Sequence, residues 1–230
     1  MSLQNPKSKI QNPETLVTLA DPRSPVAEAY RSLRTNLSFA NLDQKLHTIL
    51  VTSAGPEEGK STVLANLAVV EAQAGHRVII VDADLRRPRQ HELFGLANSV
   101  GLTTMLADEN GLQQPPLQPT AVEGLRVLTS GPQPPLPAEM LASERMARAI
   151  TALLAQADLV LFDAPPVVAV TDAAILAPQV DGVLLVISAE RTRREHAQRA
   201  QQLLEKVSAR IIGSVLNNVT PDSGLRGYYK

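Results

Sequence analysis

The sequence predicts a three-layer α/β/α sandwich around a mostly parallel central sheet. Three observations predict it. Apolar, β-rich runs alternate with helical patterns along the chain. The runs are continuously apolar, as in Val78-Ile79-Ile80-Val81, which suits strands covered on both faces. Three polar segments each follow such a run on its C-terminal side, where sheets of this kind bind ligands.

The elements read in order as follows. Residues 1–20 show no periodicity and are assigned to a mobile segment. One domain spans 21–220, and residues 221–230 form a flexible tail. Ser24 can cap a helix that has Pro25 at its first position and runs to about residue 40. Val26, Tyr30, Leu33 and Leu37 line up as its apolar stripe, with Glu28 and Arg31 opposite and Arg34 at the boundary. A strand over 46–53 leads to a helix over 60–74 closed by Gly75, and then to a strand over 77–84. Runs at 125–130, 159–162, 182–188 and 210–216 extend the strand series. Helical patterns cover about 138–156 and 193–207. The proline-rich stretches 113–119 and 132–137 read as connections, because proline fixes φ and removes a donor.

Composition bounds the function. The 230 residues fit one large α/β domain. Aromatic residues are only 3%, so Val, Ile, Leu and Ala must fill the core. A net charge of −1 gives no field for nucleic acid or anionic membranes, and no nucleic-acid partner is expected. There is no cysteine, which fits a reducing cytoplasm. No apolar run approaches the ~20 residues of a membrane span, and residues 1–6 lack a signal-peptide core. Membrane association is therefore expected only through a partner.

The three polar segments carry the chemistry. Residues 54–62, Ala-Gly-Pro-Glu-Glu-Gly-Lys-Ser-Thr, have the spacing of a phosphate-binding loop, with Ala54 where the first glycine is usual. Gly55, Pro56, Glu57, Glu58 and Gly59 would form the cradle at a helix start, where backbone N–H groups and the dipole favour anions. Lys60 would reach the terminal phosphates of a bound nucleotide, the Ser61 hydroxyl would bind Mg²⁺, and Thr62 completes the nucleotide-binding segment. A lysine in the first helical turn opposes the dipole, so its place there calls for an anionic ligand. Asp82 and Asp84, in Asp82-Ala-Asp-Leu-Arg86, end a buried strand. Alternation would aim both the same way, towards metal or proton transfer, or one towards capping the following turn. Asp163, before Ala-Pro-Pro, reads as a Mg²⁺ ligand, direct or through water. Asn217 follows the last strand, where its amide either meets an adenine edge or serves a turn.

This combination resembles the bacterial tyrosine kinases (BY-kinases) of capsule and exopolysaccharide export, phosphate-loop NTPases with a deviant loop. Residues 54–62, 82–86 and 163–166 match that family's three motifs, Ser130-Gly-Pro-Gln-Pro-Pro matches a fourth segment, and Glu28-x-x-Arg31-x-x-Arg34 matches its N-terminal signature. The resemblance covers about residues 16–230. It implies an ATP- and Mg²⁺-dependent protein-tyrosine kinase in which Lys60, Asp82 and Asp84 are catalytic and Ser61, Asp84 and Asp163 hold the metal. Asp82 would orient or deprotonate the tyrosine hydroxyl, although spacing alone does not order Asp82 and Asp84. The resemblance further implies a ring of subunits, an octamer, joined through Glu28, Arg31 and Arg34. It implies a cytoplasmic kinase at the inner face of the plasma membrane with a separate transmembrane adaptor, unless the chain is an excerpt, and tail phosphorylation at Tyr228 and Tyr229 in trans.

Three departures stand out. Glu57 replaces a common glycine, putting a carboxylate either near the phosphates or into solvent. Leu136 replaces the usual asparagine between prolines, and the tail holds only two tyrosines. Two other functions compete. One is an ATPase switch of the partitioning or septum-site type, disfavoured by Gly55 where that class carries a lysine and by a tail that is not an amphipathic helix. The other is a non-catalytic nucleotide-binding subunit of a polysaccharide exporter, which the short tyrosine tail keeps open.

Overall fold

The computed structural model of the chain describes residues 16–39, 45–189 and 191–219. Seven strands form one sheet: β1 (Thr48–Ser53), β2 (Val78–Asp82), β3 (Gln118–Pro119), β4 (Leu125–Leu128), β5 (Leu159–Asp163), β6 (Gly182–Ser188) and β7 (Ile211–Asn217). Their order is β3-β4-β2-β5-β1-β6-β7, parallel throughout except for β3, which runs antiparallel to β4. The helices are α1 (Val17–Ala20), α2 (Pro25–Phe39), α3 (Lys60–Gln73), α4 (Gln90–Phe94), α5 (Leu102–Ala107), α6 (Glu109–Gln113), α7 (Pro137–Leu141), α8 (Glu144–Leu154), α9 (Asp172–Leu176) and α10 (Arg194–Lys206).

The continuous apolar runs have a direct structural reason. Successive strand residues point to opposite faces, and both faces are covered. Leu50, Ile79, Val81, Phe162 and Leu185 pack with residues of α5 to α10. Ile49, Val51, Ile80, Leu161 and Leu184 pack with α1 to α4. Helix α3 is buried along nearly its whole length, between the sheet and α2, which explains why it is apolar on all sides.

The expected elements are present with shifted ends, and some differ in kind. Strand β2 stops at Asp82, so Ala83 and Asp84 lie beyond the ladder. The helix expected over 138–156 is two, α7 and α8, broken at Ala142 and Ser143, where the Ser143 Oγ turns back to the Met140 carbonyl at 2.7 Å. The stretch 113–119 holds the last residue of α6 and the short edge strand β3, a place that tolerates Pro119. Residues 16–20, expected to be mobile, are packed. Leu16 is fully buried, which contributes roughly 1.5–3 kcal/mol, and Thr18 N and Oγ1 both donate to Asn66 Oδ1 on α3. Ser24 caps α2, its hydroxyl accepting Ala27 N at 3.1 Å. The buried stripe of α2 includes Ala27 in place of Val26, which is 48% exposed. Among the described residues, no helix is long and apolar enough to cross a membrane.

Candidate active site

The strand order builds the site. The loop 54–59 leaves β1, and β5 lies between β1 and β2, so Asp163 stands between the loop and Asp82. The register places Asp82 directly opposite Asp163. Two carboxylates on adjacent buried strands would repel each other in an apolar core, so cations and donors must gather around them.

The loop's shape is set by its own residues. Glu57 has φ 59°, in the left-handed region that favours glycine, which is why glycine is common at this place. Its side chain is largely exposed and pairs with Arg191 at 2.9 Å at the rim of the cleft. Gly59 has φ 88°, in the same left-handed region, and a Cβ there would crowd the Asn217 amide, so glycine is strongly favoured. The Asn217 amide is engaged with the loop itself: Nδ2 donates to the Glu58 carbonyl at 2.9 Å. Asn217 thereby holds the loop from the end of β7.

Lys60 Nζ sits between Asp84 Oδ2 at 2.8 Å and Asp163 Oδ1 at 3.0 Å, and also donates to Ser61 Oγ at 3.2 Å. Burial works against its charge, but Asp163 and Asp84 outweigh that and hold the ammonium's pKa above its ordinary value. Asp84 Oδ1 also accepts Arg87 N at 3.0 Å, so the turn-capping role and the site role fall on one residue.

Asp82 and Asp84 do not share an environment, contrary to the alternation argument, because the strand ends at Asp82 and the chain turns after it. Asp82 is fully buried, and its Oδ2 accepts Arg89 N and Gln90 N at 3.0 and 2.9 Å, fixing the start of α4. Its Oδ1 has no hydrogen-bond partner among the described residues. Burial, reinforced by the Asp163 charge, pushes the Asp82 carboxyl well above the usual range. Asp84 instead lines an open cleft of about 600 Å³, together with residues 56–62, Arg87, Arg89 and Pro166. A second cleft of about 560 Å³ lies against Lys45 and His76 at the opposite ends of the strands, away from the motif residues.

Gln90 was not legible as a site residue. It is fully buried, and its Nε2 donates to Asp163 Oδ2 at 2.8 Å and to the Ser61 carbonyl at 3.2 Å. The only local mark is Pro88, two residues ahead of a helix start. Asp172, buried at the start of α9, takes the Arg86 guanidinium at 3.2 Å and so anchors the second motif.

On α2, Arg31 pairs with Glu28 at 2.8 Å, and Arg34 Nη1 donates to the Val70 carbonyl of α3 at 3.2 Å. All three expected interface residues are thus engaged within the chain. Tyr228 and Tyr229 lie outside the described residues.

Known proteins resemble this chain in sequence and in fold. Residues 44–221 match the ParA family model, described as NUBPL iron-transfer P-loop NTPase. The chain is 42% identical over 214 residues to the tyrosine-protein kinase YwqD of Bacillus subtilis (strain 168), covering 93% of this chain and 89% of that one. It is 38% identical over 208 residues to the putative tyrosine-protein kinase CapB of Staphylococcus aureus, covering 90% and 91%. The solved kinase domain of the Escherichia coli tyrosine kinase ETK superposes with a TM-score of 0.83 at 31% identity, covering 96% of this chain and 87% of that one.

Proposed function

This chain belongs to the bacterial tyrosine-kinase family of P-loop NTPases, and we propose that it transfers the γ-phosphoryl group of ATP to tyrosine. The observation that carries this reading is the meeting of Lys60 with Asp84 and Asp163 at the mouth of the phosphate loop. The donor set fits Mg²⁺: Ser61 Oγ and the Asp84 and Asp163 carboxylates are hard oxygen ligands. Among the described residues no three His, Cys, Asp or Glu gather as a metal site by themselves. That fits a metal held by one or two carboxylates plus substrate phosphates. Mg²⁺ supplies charge neutralisation on the phosphates.

The chain's own residues do the rest. The backbone of residues 55–60 binds the phosphates, and the Lys60 ammonium stabilises charge developing on the transferred group. The tyrosine oxygen bonds to the γ-phosphorus as the bond to ADP breaks, and the hydroxyl proton passes to a carboxylate. Asp84 lines the cleft an incoming hydroxyl would enter, so we assign it the proton and leave Ser61 and Asp163 as the Mg²⁺ ligands in that step, while Asp82 would hold α4 from behind.

The acceptors we assign are Tyr228 and Tyr229, reached in trans from a neighbouring subunit. Tyr30, the remaining tyrosine, packs against the α1–α4 core, and burial pushes its phenol up to about 12, which makes it a poor acceptor. Glu28, Arg31 and Arg34 would join subunits into a ring, and the kinase would regulate capsule or exopolysaccharide synthesis beside a transmembrane adaptor. Added phosphates, each bringing about −1.5 to −2 charge, would disfavour return of the tail to a carboxylate-rich site.

Incubation with labelled ATP and Mg²⁺ followed by mass spectrometry tests this. Phosphate is expected on Tyr228 or Tyr229 and is lost in the Tyr228→Phe, Tyr229→Phe variant. Phosphate on Tyr30 alone would overturn the tail assignment. The absence of any melting shift with millimolar Mg-ADP would overturn nucleotide binding itself.

A further inference from the structure

Glu58 is a carboxylate buried inside a loop built for anions, with only 4% of its surface exposed. Its Oε2 accepts Ala54 N at 3.0 Å, and its Oε1 accepts the Thr192 hydroxyl in the turn between β6 and α10. The Thr192 oxygen in turn accepts Ser188 N at 2.9 Å, at the end of β6. Ala54 is 1% exposed, so its N–H has no water to replace the carboxylate. One side chain therefore ties the first residue of the phosphate loop to the turn beyond β6.

We infer that Glu58 is a positioning residue whose carboxylate sets the shape of the phosphate loop from Thr192 and couples that turn to nucleotide affinity. The inference rests on the nucleotide-binding reading above. A charge-only role is the competing account, since a carboxylate this close to bound phosphates repels them. The two accounts separate on a neutral side chain that keeps an acceptor. Glutamine still offers an oxygen to Ala54 N while removing the charge, whereas alanine removes both. An unsatisfied buried donor changes an equilibrium by roughly tenfold to a hundredfold.

The test uses the full chain and two readouts: backbone hydrogen exchange of residues 54–59 without nucleotide, and Mg-ADP affinity by calorimetry. In Glu58→Ala the loop exchanges at least about tenfold faster and Mg-ADP binds about tenfold more weakly. Thr192→Val moves both in the same direction by less, and its effect disappears once Glu58 is alanine. Glu58→Gln exchanges at the parent's rate and binds Mg-ADP more tightly. Unchanged loop exchange in Glu58→Ala, or equal tightening by alanine and glutamine, would overturn the inference. If Glu58→Ala does not fold, Thr192→Val against Glu58→Gln decides by the same comparison. A parent chain that fails to bind Mg-ADP sinks the nucleotide reading, while exchange still decides whether Glu58 holds the loop.

Discussion

Replacing Lys60 by methionine should do more than stop phosphoryl transfer, because Lys60 is also the buried cation of the site. Its side chain is 11% exposed and bridges Asp84, at 5%, and Asp163, at 0%. Deleting one partner of a buried ion pair leaves uncompensated charge and costs about 3–5 kcal/mol. Both carboxylates keep one other bond, from Arg87 N and from Gln90 Nε2, which places the expected loss near the low end, about 3 kcal/mol. A domain of this length loses roughly 2–4 °C per kcal/mol, so the melting temperature should fall by about 6–12 °C. The Lys60 pKa is held above its ordinary value, so this stability is present throughout the range below that ordinary value and is lost only as pH rises beyond it. Calorimetry of the nucleotide-free protein near neutral pH therefore sees all of it. The double variant Lys60→Met, Asp163→Asn should recover a large part of the loss, because one unpaired charge is gone. A single variant that melts within about 2 °C of the parent would refute the reasoning, and so would strict additivity of the two changes.

Other outcomes follow from the same geometry. Asp82 has a raised pKa, so its stabilising form is the neutral acid, present below the usual carboxylate range and lost as pH rises through the raised value. Asp82→Asn stays neutral, so its melting temperature relative to the parent should rise with pH, and parallel melting curves across pH would refute this. For catalysis, the loss on Asp84→Asn should exceed that on Asp82→Asn and reach about 10²–10⁴-fold; the reverse order would reassign the base. Gln90→Leu removes the donor on Asp163 and should cost about 1–3 kcal/mol while raising the Mg²⁺ needed for half-maximal stabilisation by ADP. An unchanged Mg²⁺ requirement would detach Gln90 from the site. A Glu28→Ala, Arg31→Ala, Arg34→Ala variant should run as a monomer where the parent forms a ring, and equal masses by light scattering would remove the interface assignment.

The layers of the fold were legible because they depend on near-neighbour patterns. Continuous apolar runs such as 78–81 suit strands with both faces covered, and the structure covers this one with α3 on one side and α8 on the other. Element ends were less legible because they depend on contacts distant in sequence. Thr18 is held by Asn66, 48 residues on, and Leu16 by the apolar cluster around α3, and nothing local marks either contact. The break between α7 and α8 has a helical pattern on both sides, and it falls where the Ser143 hydroxyl turns back to the Met140 carbonyl.

The candidate site shows the same division. Lys60, Asp84 and Asp163 were legible because phosphate chemistry fixes residue type and spacing, and the topology then brings them within ion-pair distance. Asp82 was legible as a buried carboxylate, but its direction was not. The alternation that predicts parallel side chains for Asp82 and Asp84 holds only inside a strand, and β2 ends between them. Gln90 and Thr192 carried no signal because neither bears a charge or belongs to a motif. Each matters through a side-chain bond to a carboxylate contributed by another segment. A motif records which groups must meet the ligand. The neutral donors that hold those groups in place are set by the three-dimensional path of the chain, so they become visible only once α4 and the β6–α10 turn are placed against the loop.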